Sequence, residues 1–114
     1  MLRQLPEGRL RARFDVYANP GIQERQHTPY FVDVPNGDID GLASRVVIPL
    51  RRESAFGPRS RNLNPLVQVG ADAVVLDTAA LGAVPTSELR LAVGDLRNAR
   101  AQVQQAVDAL FGAY

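Results

Sequence analysis

Apolar positions along the chain alternate with polar ones in short runs over its first three quarters and then change period. Phe14-Asp15-Val16-Tyr17 sets β-forming residues around one polar position and stops at Asn19-Pro20-Gly21, a turn cluster, which predicts a first strand. The polar stretch Ile22 to Thr28, carrying His27, reads as a loop. Tyr30-Phe31-Val32-Asp33-Val34 is a second strand ending at Pro35-Asn36-Gly37, where Asn-Gly signals a tight turn. In Ser44-Arg45-Val46-Val47-Ile48-Pro49-Leu50 the residues Val46, Ile48 and Leu50 share one face of a third strand. Pro49 lacks an N–H, which places it at an edge, a bulge or a bend. The apolar runs at residues 64–69 and 73–77, separated by Gly70-Ala71-Asp72, read as a hairpin, and Leu81-Gly82-Ala83-Val84-Pro85 as a small last strand. From about Asp95, Leu96, Ala99, Val103, Ala106, Val107 and Leu110 recur at helical spacing, with Gly94-Asp95 as the N-cap candidate and Gly112 as the C-cap. The expected fold is α+β and mainly β: a small antiparallel sheet curled over itself, barrel-like, with one amphipathic helix packed on it.

Length and composition narrow the function classes. At 114 residues the chain holds one domain, and 13 Lys+Arg against 12 Asp+Glu leave a net charge of +1, too little for a global field toward nucleic acid. Every basic residue is arginine. The absence of cysteine removes disulfides, thiolate nucleophiles and cysteine metal sites, and the lone histidine, His27, leaves little for other metals, so neither a cofactor nor a metal is expected. No run approaches the roughly 18–20 apolar residues of a membrane span, and the first residues lack the apolar core of a signal peptide, so a cytoplasmic location is expected. Residues 1–13, with Arg3, Arg9, Arg11 and Arg13 against Glu7, read as a basic and poorly packed arm ahead of a domain at 14–114.

Candidate chemistry is thin. His27 lies in a polar loop without apolar framing and reads as a solvent-exposed histidine rather than a general base. Asp38 with Asp40, or Asp33 with Asp38, could pair as carboxylates, but their turn context favours turn hydrogen bonding. Gly41, Gly57, Gly70 and Gly82 stand alone, without a phosphate-cradling motif. Arg51, Arg52, Arg59 and Arg61 form a basic loop that could clamp RNA phosphates, yet Phe56 is the only aromatic beside them, where stacking needs several. The chain ends in Gly112-Ala113-Tyr114, placing an aromatic at the terminus that either folds back or docks into a partner.

Phe14-Asp15-Val16-Tyr17, Phe31-Val32-Asp33-Val34, Arg45-Val46-Val47-Ile48-Pro49-Leu50, Pro65-Leu66-Val67-Gln68-Val69-Gly70, Ala83-Val84-Pro85 and the closing helix resemble, in this order and at nearly this spacing, the CcdB family of plasmid-addiction toxins. The resemblance covers residues 14–114. It implies a homodimer of small SH3-like barrels, the fold shared with MazF ribonuclease toxins. It also implies a non-enzymatic toxin that traps the DNA gyrase A subunit in its DNA-cleavage complex and is neutralised, and transcriptionally autoregulated, with a cognate CcdA-like antitoxin. DNA is then touched only indirectly, through gyrase or the antitoxin complex. Carried over position by position, gyrase contact falls to Phe14, Tyr17, Asp108, Phe111, Gly112, Ala113 and Tyr114. Of these, Phe14, Tyr17 and Phe111 match the family, and Asp108 replaces an Asn. Gly112, Ala113 and Tyr114 stand where the family has Trp-Gly-Ile. Losing an aromatic anchor worth ~2–4 kcal/mol weakens gyrase binding. The alternatives are a CcdB-fold relative that has lost or changed its target, and a MazF-like endoribonuclease using Arg45 or the basic loop.

Overall fold

The chain forms strands where β-branched and aromatic residues cluster, and the computed structural model describes them over residues 13–35 and 43–112. The arm up to residue 12, the Asn36-Gly37 turn, Asp38, Asp40, Gly41, Ala113 and Tyr114 lie outside the described residues. The strands are β1 (Asp15–Ala18), β2 (Tyr30–Asp33), β3 (Ser44–Arg52), β4 (Leu66–Val69), β5 (Asp72–Leu76), β6 (Gly82–Pro85) and β7 (Ala92–Asp95), followed by helix α1 (Arg100–Phe111). The sheet order is β4-β5-β3-β2-β1-β7, with β6 also on β3, and every pairing is antiparallel. The end strands β4 and β7 face each other across a groove of about 470 Å³ lined by Leu66, Gln68, Asp95, Leu96 and Gln102. The sheet is thus curled into a half-barrel.

β3 organises the sheet because it is long enough to take two partners on one edge. Its first half pairs with β6, Arg45 opposite Val84, and its last residues pair with β5, Leu50 opposite Leu76. Pro49 falls where one partner gives way to the other. Its carbonyl accepts the Asp77 N–H at 3.0 Å, and its nitrogen faces the same edge, so the missing donor falls at the handover between β6 and β5. The β4–β5 hairpin closes with Gly70 at φ 58°, a conformation glycine adopts without steric cost, and Val69 opposite Asp72.

Alternation along the strands buries both faces. Val16, Val32, Ile48, Leu50, Val74 and Leu76 line one face, covered by Leu96, Val103 and Ala106. Fully burying such a side chain contributes about 1.5–3 kcal/mol. Tyr17 and Val47 point the other way and meet Leu89, with Phe31 and Val84 against them.

Several expectations are corrected in detail. The first strand begins at Asp15, because Phe14 has φ 74°; it donates its N–H to the Asp33 carbonyl at 2.6 Å and accepts from the Leu96 N–H at 2.8 Å. Residues 23–26 of the polar loop form a 3-10 turn. The third strand runs on to Arg52, so Arg51 and Arg52 are strand residues opposite Val75 and Val74. Val46 shares a face with Ile48 and Leu50 but is 36% exposed. β7 was not expected, and the apolar period read from Asp95 begins in a 3-10 turn, Arg97–Ala99, so that the α-helix starts at Arg100.

Candidate functional site

Helix α1 is amphipathic by composition, and its geometry leaves its far end uncovered. Asp95 Oδ1 accepts the Arg97 N–H at 2.9 Å and supports the 3-10 entry, while Leu96, Val103 and Ala106 anchor the apolar stripe in the core. Gly112 ends the helix in the left-handed region at φ 72°, its N–H turned back to the carbonyls of Asp108 and Ala109. One position earlier, Phe111 is 66% exposed. A solvated phenyl ring at the end of a rigid helix is the form of an anchor for a protein partner.

A second stripe runs beside that ring. Gln104, Asp108 and Phe111 stand at i, i+4 and i+7 and so share a face. Gln104 Nε2 donates to Asp108 Oδ1 at 3.0 Å, and Gln104 Oε1 accepts from Arg13 Nη2 at 2.6 Å. Arg13 is fixed in turn: its Nε donates to the Val34 carbonyl at 2.9 Å and its guanidinium sits 4.9 Å from the Phe14 ring centroid. Arg13, read from the sequence as part of a poorly packed arm, is therefore bonded to the domain.

These boundaries agree with the comparison of the chain with known families. The family model described as CcdB protein matches residues 13–112, from the anchored Arg13 to the helix-ending Gly112. The chain belongs to the CcdB family. The positions to which the family resemblance assigns partner contact separate into two environments. Asp108, Phe111 and Gly112 lie together at the end of α1, half-buried, exposed and exposed respectively, whereas Ala113 and Tyr114 fall outside the described residues. Phe14 and Tyr17 are buried, 8% and 4% exposed, and pack into two different core clusters. Within this chain they brace the sheet, and the accessible part of the stripe is on α1.

Most of the candidate groups for other chemistry are bonded within the domain, while Arg61 is exposed. Arg45, the candidate phosphate-binding arginine, is 2% exposed. Its Nε donates to both Asp33 oxygens at 3.3 and 3.1 Å, and its Nη2 to Oδ1 at 2.9 Å. Asp33 is likewise fully buried in this pair, so it is no partner for a catalytic carboxylate. In the basic segment Arg51 Nε donates to Asp77 at 2.8 Å, Arg52 lies 3.8 Å from Asp72, and Arg59 donates to the Asn64 carbonyl at 2.9 Å. His27 is exposed, with Nδ1 2.8 Å from the Thr28 hydroxyl. Sequence reasoning missed Arg13 and Gln104; the only signal for the latter was its i, i+4 spacing to Asp108.

Proposed function

We propose that this chain is the toxin of a type II toxin–antitoxin pair, acting as a homodimer on the DNA gyrase A subunit through the carboxyl end of α1. Binding there traps the gyrase–DNA cleavage complex, blocks replication and transcription, and is reversed by a cognate CcdA-like antitoxin. The toxin makes and breaks no covalent bond and needs no cofactor; it works in the cytoplasm, where gyrase is. The observation that carries this reading is the CcdB match across residues 13–112. The exposed Phe111 supplies a chemically suitable anchor at the expected end of the molecule.

A second reading, in which the target has changed, is favoured by Gly112. With φ 72° and open space around the position of a Cβ, this residue is used as a helix cap, a backbone conformation that disfavours the tryptophan of the family pattern.

Expression in a bacterial host carrying either native gyrase or a resistant gyrase A variant tests the proposal. Growth arrest relieved by the gyrase A variant, with capture of a gyrase A fragment that is lost on removing residues 112–114, is the expected outcome. Growth arrest indifferent to gyrase A, or RNA scission by a chain lacking residues 112–114, refutes it.

A further inference from the structure

The Arg13–Gln104–Asp108 series has no part in the core. Gln104 and Asp108 are only half-buried and Arg13 is exposed, yet the three are bonded in sequence, across 91 residues of chain in the first link. Asp108 also stands in the last turn of α1, where no basic residue offsets it. A carboxylate there opposes the negative end of the helix dipole, and this arrangement lowers helix stability. A free aspartate in the last turn would relieve that repulsion by swinging into solvent. Here it is held: Arg13, fixed by the Val34 carbonyl and the Phe14 ring, presents a donor to Gln104 Oε1, which orients the amide so that Nε2 points at Asp108. Oδ1 is taken by this bond, and the carboxylate sits one turn from the exposed Phe111.

We infer that Arg13 is a positioning residue that acts through Gln104 to hold the Asp108 carboxylate beside Phe111, where it selects a partner surface presenting an arginine or lysine next to a pocket for the phenyl ring. The argument is charge complementarity. An anion fixed in advance beside an apolar anchor loses little side-chain entropy on binding, and it favours a cation on the facing surface. The partner half of this inference rests on the toxin reading above; the relay itself does not.

Two measurements on the full chain test it. In the free protein, three-bond NMR couplings report the Asp108 χ1 rotamer. A single rotamer is expected in the native chain, and averaging in Arg13→Ala and in Gln104→Glu. The Gln104→Glu variant keeps the acceptor that Arg13 holds but removes the donor that Asp108 needs. A merely structural Arg13 would lower the melting temperature and leave the Asp108 couplings unchanged, which overturns the relay. For the partner, binding to a gyrase A fragment is measured over a range of salt. Asp108→Asn should weaken binding roughly fivefold to tenfold at low salt, with the difference shrinking as salt rises. Arg13→Ala should weaken binding in the native background and not in the Asp108→Asn background. Equal or tighter binding by Asp108→Asn overturns the partner half. A native chain that does not bind the fragment refutes the function proposed above and, with it, the partner half, while the couplings still decide the relay.

Discussion

The Arg45–Asp33 pair gives the sharpest test of how this domain is held together. Asp33 lies opposite Val47 in the β2–β3 register, and Arg45 is two residues along β3 on the same face, so the two meet diagonally across the strands. Their side chains are 1% and 0% exposed. Charges removed this far from water gain little net stability as a pair, but removing one member of a buried pair costs about 3–5 kcal/mol. A domain of this size is stable by about 5–15 kcal/mol, so Arg45→Met alone should remove roughly a fifth or more of that and lower Tm by roughly 10–20 °C. The double variant Asp33→Leu, Arg45→Met removes both charges and should recover more than half of the loss. Urea unfolding followed by circular dichroism measures each, at low and at high salt. Burial predicts that the loss changes little with salt. A loss below about 1 kcal/mol in the single variant, the range of exposed pairs, would refute the reasoning.

Phe111→Ala should cost less than about 0.5 kcal/mol of stability but weaken partner binding by about 2 kcal/mol, near 30-fold, seen by comparing thermal melts with gyrase A titrations. Gly112→Ala places a side chain at φ 72° without a clash, so it should destabilise α1 by roughly 1 kcal/mol through backbone conformation alone, measured as a shift in the urea midpoint. Tyr30 donates to Asp72 Oδ2 at 2.6 Å, and this hydrogen bond, followed by burial and the carboxylate charge, raises its pKa above the usual 10.0. Because the folded-state pKa is the higher one, the stabilisation is complete below pH 10.0 and is lost as pH rises through the raised value. Tyr30→Phe should therefore flatten the alkaline fall in the urea midpoint, and an unchanged alkaline slope would show that another group is responsible.

The elements that the sequence makes legible are those whose pattern is complete within a few residues. Alternation and short apolar runs located six of the strands, and the Gly70 turn and the Gly112 cap followed from their own chemistry. β7 was not legible because all four of its residues are exposed, leaving no alternation to read, and its partner β1 lies nearly 80 residues earlier in the chain. The start of α1 was misplaced because Leu96 and Ala99 have helical spacing yet are delivered to the core by a 3-10 turn, in which i and i+3 also coincide. Nothing in the residues next to Arg45 marks it as buried, since its partner Asp33 lies 12 residues away on another strand. Val47, on the same face of β3 as Arg45, is packed by Leu89 from more than 40 residues away. The accessible end of the candidate site was legible in Phe111 and Asp108; the brace behind it, running from Arg13 through Gln104, was not, because its first link joins opposite ends of the chain.

This division of labour bears on how a CcdB-type tail can change. The last residues of α1 that pack on the main core cluster are Ala106, fully buried, and Val107, partly buried. Beyond them, Asp108 is half-buried and Phe111 and Gly112 are exposed, and none of the three belongs to the main core cluster. Substitution there is constrained by the helix cap and by whatever the end of the helix binds, and only weakly by folding. Substitution at Phe14 or Tyr17 is constrained first by folding, since each ring sits in a different core cluster. Matches to the family at Phe14 and Tyr17 are accordingly weak evidence about the partner, because packing alone would keep them. The departures at Asp108 and Gly112 carry more information, for they lie where a new partner surface can be accommodated at small cost to the fold. Loss of function without loss of stability in Phe111 and Asp108 variants, set against loss of both in Phe14 and Tyr17 variants, is the pattern this separation requires.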